Sequence, residues 1–126
     1  MKTVPATRKA PAEATIVTKA LLRASNNLKL TNTVLGAIVG LSDATISRMK
    51  KGAYVLAPAD KSYELSVLFV RMYRSLTAIV GGDDSVARSW LENHNTALHA
   101  KPMQRIQSVS GLVDVINYLD ARRAAV

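Results

Sequence analysis

Apolar and polar positions alternate along this chain with the period of helices. From Ala12 to about Leu28, Ile16, Val17, Ala20, Leu21 and Ala24 recur at helical spacing, and Asn26-Asn27 makes a stop. Two short segments follow, Asn32 to Val39 and Asp43 to Lys51, and then the loop GAYVLAPA, whose Pro58 can open the next helix. Tyr63, Leu65, Leu68, Phe69, Met72, Leu76, Ile79 and Val80 keep a three-to-four spacing until Gly81-Gly82, which predicts the longest clear helix. Asp83 or Asp84 can cap a helix through Trp90 and Leu91, and Asn93 and Asn95 mark a turn. A short helix is expected after Pro102, and Ser110 can cap a last one in which Leu112, Val115, Ile116 and Leu119 share a face. No segment alternates with period two long enough for a convincing strand, and no internal repeat appears, so the expected fold is all-α.

Composition narrows what such a fold can do. With 126 residues and 48% hydrophobic content the chain can build one domain or two very small ones. No run of about 18 apolar residues occurs, and the start MKTVPATRKAPAEA lacks the apolar centre of an export signal, so no membrane span and a cytoplasmic location are expected. The absence of cysteine excludes disulfides, thiolate nucleophiles and Cys-type zinc sites. The net charge of +8 is unevenly spread: residues 1 to 61 carry ten Lys/Arg against Glu13, Asp43 and Asp60, and the rest carries seven against six acids. The cationic excess, +7 of the +8, therefore sits in the half that holds the two short helices, and an anionic partner there is implied. Residues 1 to 11, rich in Lys, Arg, Ala and Pro, read as a flexible basic arm.

The stretch VLGAIVGLSDATISRMKKG meets the demands of a helix-turn-helix, in which one helix ends abruptly and the next begins at once at a steep angle. Gly40 can take the left-handed conformation at the first helix's end, and Gly36, four residues earlier, leaves room for the crossing. Ser42 can cap the second helix, with Leu41 packing on Ile46 as a staple. Leu35, Val39, Leu41, Ile46 and Met49 face inward. Asp43, Ala44, Thr45, Ser47 and Arg48 then face outward, followed by Lys50 and Lys51. Arg48 suits a bidentate contact to guanine, Thr45 and Ser47 suit base edges or phosphates, and the lysines suit phosphate oxygens. Asp43 fits a DNA groove less well unless it accepts from a cytosine amine or serves only the helix N-terminus. A plain pair of antiparallel helices would share parts of this pattern.

The stretch from about Leu30 to Gly52 resembles the helix-turn-helix of Xre-type, phage-repressor-like regulators, which implies that Asp43 to Arg48 are the exposed start of the recognition helix and that the basic arm at 2–9 adds a phosphate contact. Farther along, Trp90-Leu91, Asn95, Leu98, Pro102, Gly111, Val115 and Leu119 are spaced as in the C-terminal toxin-binding region of the Xre/MbcA/ParS antitoxin family, which the segment resembles. The division that results is a basic arm at 1–11, a helix-turn-helix and dimerisation domain at 12–81, and a small helical toxin-binding domain at 82–126. The resemblance implies an antitoxin that neutralises a toxin encoded beside it, commonly a RES-domain, NAD-consuming enzyme, and that represses its own operon by binding operator DNA. It also implies that the last helix and tail cover the toxin's cleft; by position these are Asn117, Tyr118, Asp120, Arg122 and Arg123, with Ala124 to Val126 beyond. Paired guanidinium donors suit a pocket made for a dinucleotide's phosphates. A solvated helix end, with two cations on its dipole, accounts for the same arginines.

A homodimer is expected, because one helix-turn-helix reads one half-site. Two other readings remain open: a freestanding repressor whose C-terminal part only dimerises, and an adaptor whose helix-turn-helix never touches DNA. Enzyme motifs are weak. Gly81-Gly82-Asp83-Asp84 has the form of a cyclase-type metal loop, but it follows a helix in a chain without a sheet. His94 and His99 lie five apart near a turn, without further ligands for zinc, and no Ser, His and acid set or phosphate-cradling loop is present. No enzyme, metal or cofactor is expected.

Overall fold

The computed structural model describes residues 4–124, with side chains over 12–124. Among them seven helices follow in order: α1 (Val4–Asn27), α2 (Asn32–Val39), α3 (Asp43–Lys50), α4 (Lys61–Ile79), α5 (Asp84–Glu92), α6 (Pro102–Arg105) and α7 (Val109–Ala124). One isolated bridge, Asn95 to Ala100, is the sole extended pairing among the described residues. No single described helix is long and apolar enough to cross a membrane.

Most ends obey local chemistry. Thr31 caps α2 by accepting from the Val34 amide, Ser42 caps α3 through the Thr45 amide, and Asp83 caps α5 through the Ser85 and Val86 amides. The Ser85 hydroxyl, which also donates to Asp83 (2.7 Å), and then these two amides hold the Asp83 carboxyl below its ordinary value. Four expectations change. α1 starts at Val4, not Ala12, so the backbone of most of the expected flexible arm is helical; Pro5 sits in the first turn, where a missing amide costs no intrahelical bond. The side chains of residues 1–11, and with them the arm's phosphate contact, lie outside the described residues. α1 ends at Asn27 as expected, but Lys29, at φ 55°, is the left-handed residue, and the Leu30 amide reaches back to the Ser25 carbonyl. α4 opens at Lys61 behind Asp60, Pro58 lying in the preceding turn. α7 opens at Val109, and it is Ser108, not Ser110, whose hydroxyl accepts from the Gly111 amide.

One hydrophobic core runs through the molecule, from Leu21 and Leu28 of α1 through Leu35, Ile46 and Phe69 to Leu91, Leu112 and Leu119. α4 is its axle. It packs most extensively on α7, then on α1 and α2. Surrounded in this way, α4 buries Ser62, Ser66 and Ser75 along with Phe69, Met72 and Leu76, while Tyr63, Leu65 and Leu68 from the expected apolar face are only half-buried. Two polar ties, the first buried and the second half-buried, join distant segments. Thr18 donates to the Ala14 carbonyl (2.7 Å) and accepts from the Leu56 amide (3.1 Å), fastening the loop after α3 to α1. The Tyr73 hydroxyl accepts from Asn27 Nδ2 and donates to Asp84 Oδ1, both at 2.8 Å, joining α1, α4 and α5.

Candidate functional site

The turn between α2 and α3 is built around two glycines. Gly40 is left-handed, at φ 76°, and its amide and that of Leu41 both donate to the Gly36 carbonyl, at 2.7 and 3.0 Å. A Cβ on Gly36 would stand 2.3 Å from the Leu41 carbonyl oxygen, so the close crossing depends on hydrogen at that position. Leu35, Val39, Ile46 and Met49 are buried as expected, and Leu41 is half-buried.

On α3, Asp43, Ala44 and Arg48 are exposed, Thr45 and Ser47 half-buried, and Lys50 and Lys51 exposed beyond them. Asp43 accepts from the Thr33 hydroxyl of α2 (2.8 Å) in the first turn of α3. Its carboxylate therefore clasps the two helices and faces the positive end of the α3 dipole. Arg48 Nη2 donates to Thr45 Oγ1 (3.3 Å), a long contact across one turn that keeps the guanidinium along the helix. Lys50 Nζ donates to Asn32 Oδ1 at the start of α2. Sequence reading missed Asn32 and Thr33; both follow the Thr31 cap, and such polar residues at a helix start are its only signal. All seven expected residues are at least partly open to solvent, with Arg48, Lys50 and Lys51 exposed, and the one acid among them is already engaged.

The second surface lies on α7. Gly111 is buried, and a Cβ there would come within 1.9 Å of the Arg105 carbonyl oxygen, so α7 starts hard against the end of α6. Arg105 and Asp114 pair across that junction. Trp90 of α5 stacks on Tyr118 (centroids 6.1 Å apart, planes 25°), and Arg122 lies over the Tyr118 ring at 5.7 Å. Asp120 pairs with Arg71 of α4 and accepts from Ser75 Oγ (3.2 Å), to which Arg123 Nη1 also donates at 3.2 Å. Of the residues expected to contact a toxin, Asn117, Arg122 and Arg123 are exposed, whereas Tyr118 and Asp120 are half-buried and hold α7 in place. Val126 lies outside the described residues. The outward stripe of α7 also includes Val113, Ala121 and Ala124, with Val109 beside it; Val109 is 58% and Val113 38% exposed. Sequence reading missed these valines, although Val113 stands four positions before Asn117, on the same face.

Residues 7–71 match the antitoxin Xre-like helix-turn-helix domain, and residues 75–124 match the antitoxin Xre/MbcA/ParS C-terminal toxin-binding domain. The chain belongs to the Xre/MbcA/ParS antitoxin family. No individual curated protein matches it. The first match of this antitoxin-family chain covers both short helices and their glycine turn, and the second covers the Trp90–Tyr118 stack and all of α7. The two matches meet inside α4, so one helix serves both modules.

Proposed function

We propose that the chain is the antitoxin of a two-gene toxin–antitoxin pair: through α7 and the chain end it binds and neutralises a cognate toxin, and through α3 it binds operator DNA as a homodimer and represses its own operon. The observation that carries this reading is the pairing, in one chain, of a toxin-binding domain match with a helix-turn-helix whose outward face is cationic. On α3, Arg48 reads a base edge, Thr45 and Ser47 contact bases or phosphates, Lys50 and Lys51 hold phosphates, and Asp43 and Ala44 line the close approach. On α7, Asn117, Arg122 and Arg123 meet the toxin, with Tyr118 and Asp120 setting their positions and Val126 continuing the contact. A RES-type, NAD-consuming enzyme is the partner class proposed, on the family resemblance, with the exposed guanidinium of Arg122 offered to acidic or polar groups of its cleft. Nothing in this role requires a cofactor or catalysis by the chain itself.

The test is co-expression with the neighbouring open reading frame. Growth rescue and a co-purifying complex are expected for the whole chain; removal of residues 120–126 is expected to abolish rescue while operator binding persists, because the residues that pack α2 and α3, Leu35, Val39, Ile46 and Met49, all lie outside that segment. Full rescue by the shortened chain moves the neutralising surface elsewhere. A neighbour that is harmless when expressed alone, beside a chain that still represses, leaves a freestanding repressor.

A further inference from the structure

α1 does not spend all its apolar residues on the core. Ile16 is 67% exposed, and with Val17 and Ala20 it borders a groove of about 490 Å³ whose opposite wall is Val67 and Val70 of α4; Val67 is 43% exposed. The helices flanking this groove run in the same direction, since Thr18 of α1 bonds Leu56 just before α4 and Asn27 at the end of α1 bonds Tyr73 late in α4. The groove is therefore polar in the electrical sense. At its far end stand Arg71, Arg74 and Arg123. Glu13 does not line the groove but is exposed one turn before Ile16 and Val17 on the same face of α1, which puts an acid just beyond the near end. Arg71 is satisfied by Asp120, and Arg123 donates to Ser75. Glu13 and Arg74 have no ion-pair partner among the described residues.

An acid at one end, a base at the other and a knob of isoleucine beside an apolar trough form a self-complementary pattern. A two-fold axis across the middle of the groove reverses its direction, laying each Glu13 against the other copy's Arg74 and each Ile16 into the other copy's trough. A purely acidic partner would match Arg74 and leave Glu13 opposed. We propose that the α1–α4 groove is the homodimer interface, its occupant a second copy of this chain arranged antiparallel, with Glu13–Arg74 pairs flanking an Ile16–Val67 centre. This rests on the homodimer reading above and names the face it uses.

Sedimentation or light scattering of the full chain tests it. The unsubstituted chain is expected to be a dimer at micromolar concentration, and Ile16→Glu a monomer. Glu13→Arg and Arg74→Glu each place like charges together twice and are expected to weaken self-association by about tenfold or more. In an equal mixture of these two variants, a heterodimer again sets opposite charges against each other at both ends of the groove, with the signs exchanged at one end, so dimers are expected to return. All three positions are exposed, so thermal unfolding followed by far-UV circular dichroism should show a native fold in every variant. A dimer that survives all three substitutions, or variants that fail to complement on mixing, places the interface on another face while leaving the homodimer reading intact. A wild-type monomer at high micromolar concentration overturns both.

Discussion

Two hydrogens set the geometry of this protein more than any polar group does. Gly111→Ala forces a methyl into the space 1.9 Å from the Arg105 carbonyl oxygen, and Gly36→Ala does the same 2.3 Å from that of Leu41. Backbone has to shift in both cases, and urea denaturation is expected to show a loss of about 1–3 kcal/mol or more for each, as overpacking against a rigid wall does. An unchanged midpoint would show that the helices can slide apart without cost. The opposite sign is expected at His99 and Lys29, left-handed at φ 59° and 55°: glycine relieves Cβ crowding there and should stabilise by about 1 kcal/mol. Gly36 was legible because it stands one helical turn before another glycine. Thr18 was not, since a hydroxyl inside an apolar stripe has no periodic signature and the amide it accepts from is 38 residues away. Thr18→Val strands the Leu56 amide and is expected to cost about 1–3 kcal/mol by the same measurement.

Helices were read more faithfully than the faces they bury. Ends set by a glycine or by an expected Ser or Asp cap came out within a residue or two, because capping is local chemistry, whereas the opening of α4 expected at Pro58 lies three residues on, at Lys61. α4 departed in its faces, for it is wrapped by neighbours on several sides and buries serines that a search for one apolar stripe discards. α3 has the simplest geometry and bears the sharpest functional expectation. Its Arg48 is exposed and, among the described residues, held by a single 3.3 Å contact to Thr45, which lets the guanidinium swing toward a base. Arg48→Ala should lower discrimination between operator and scrambled DNA by about 1–3 kcal/mol, whereas Lys51→Ala should weaken both alike and flatten the salt dependence. Equal discrimination by Arg48→Ala and the parent in a competition titration would remove Arg48 from the base edge.

The two family matches suggest two modules, yet the packing describes one body. α4 carries the end of the first match and the start of the second, the core is continuous from α1 to α7, and the Asn27–Tyr73–Asp84 tie crosses the boundary. Neither module has a core of its own to retreat to, so the chain should unfold in a single transition. Trp90, the one tryptophan, sits in the second match and reports that half alone. Its fluorescence in urea should superimpose on the far-UV circular dichroism of all helices. Thr18→Val, whose lesion lies wholly in the first match, should shift the Trp90 curve by the same amount. The tie adds a pH signature. Burial foremost, with Asp84 beside it, raises the Tyr73 phenol above its ordinary value, overriding the Asn27 bond that lowers it. A raised phenol stabilises the fold fully below that ordinary value and ceases to do so as pH climbs through the folded one. Tyr73→Phe should therefore lose part of the parent's alkaline decline in stability, again in both signals together. A Trp90 transition that separates from the helical one, or that ignores Thr18→Val, would mean that each half stands alone and that a partner docked on α7, as proposed, has no mechanical route through α4 to α3.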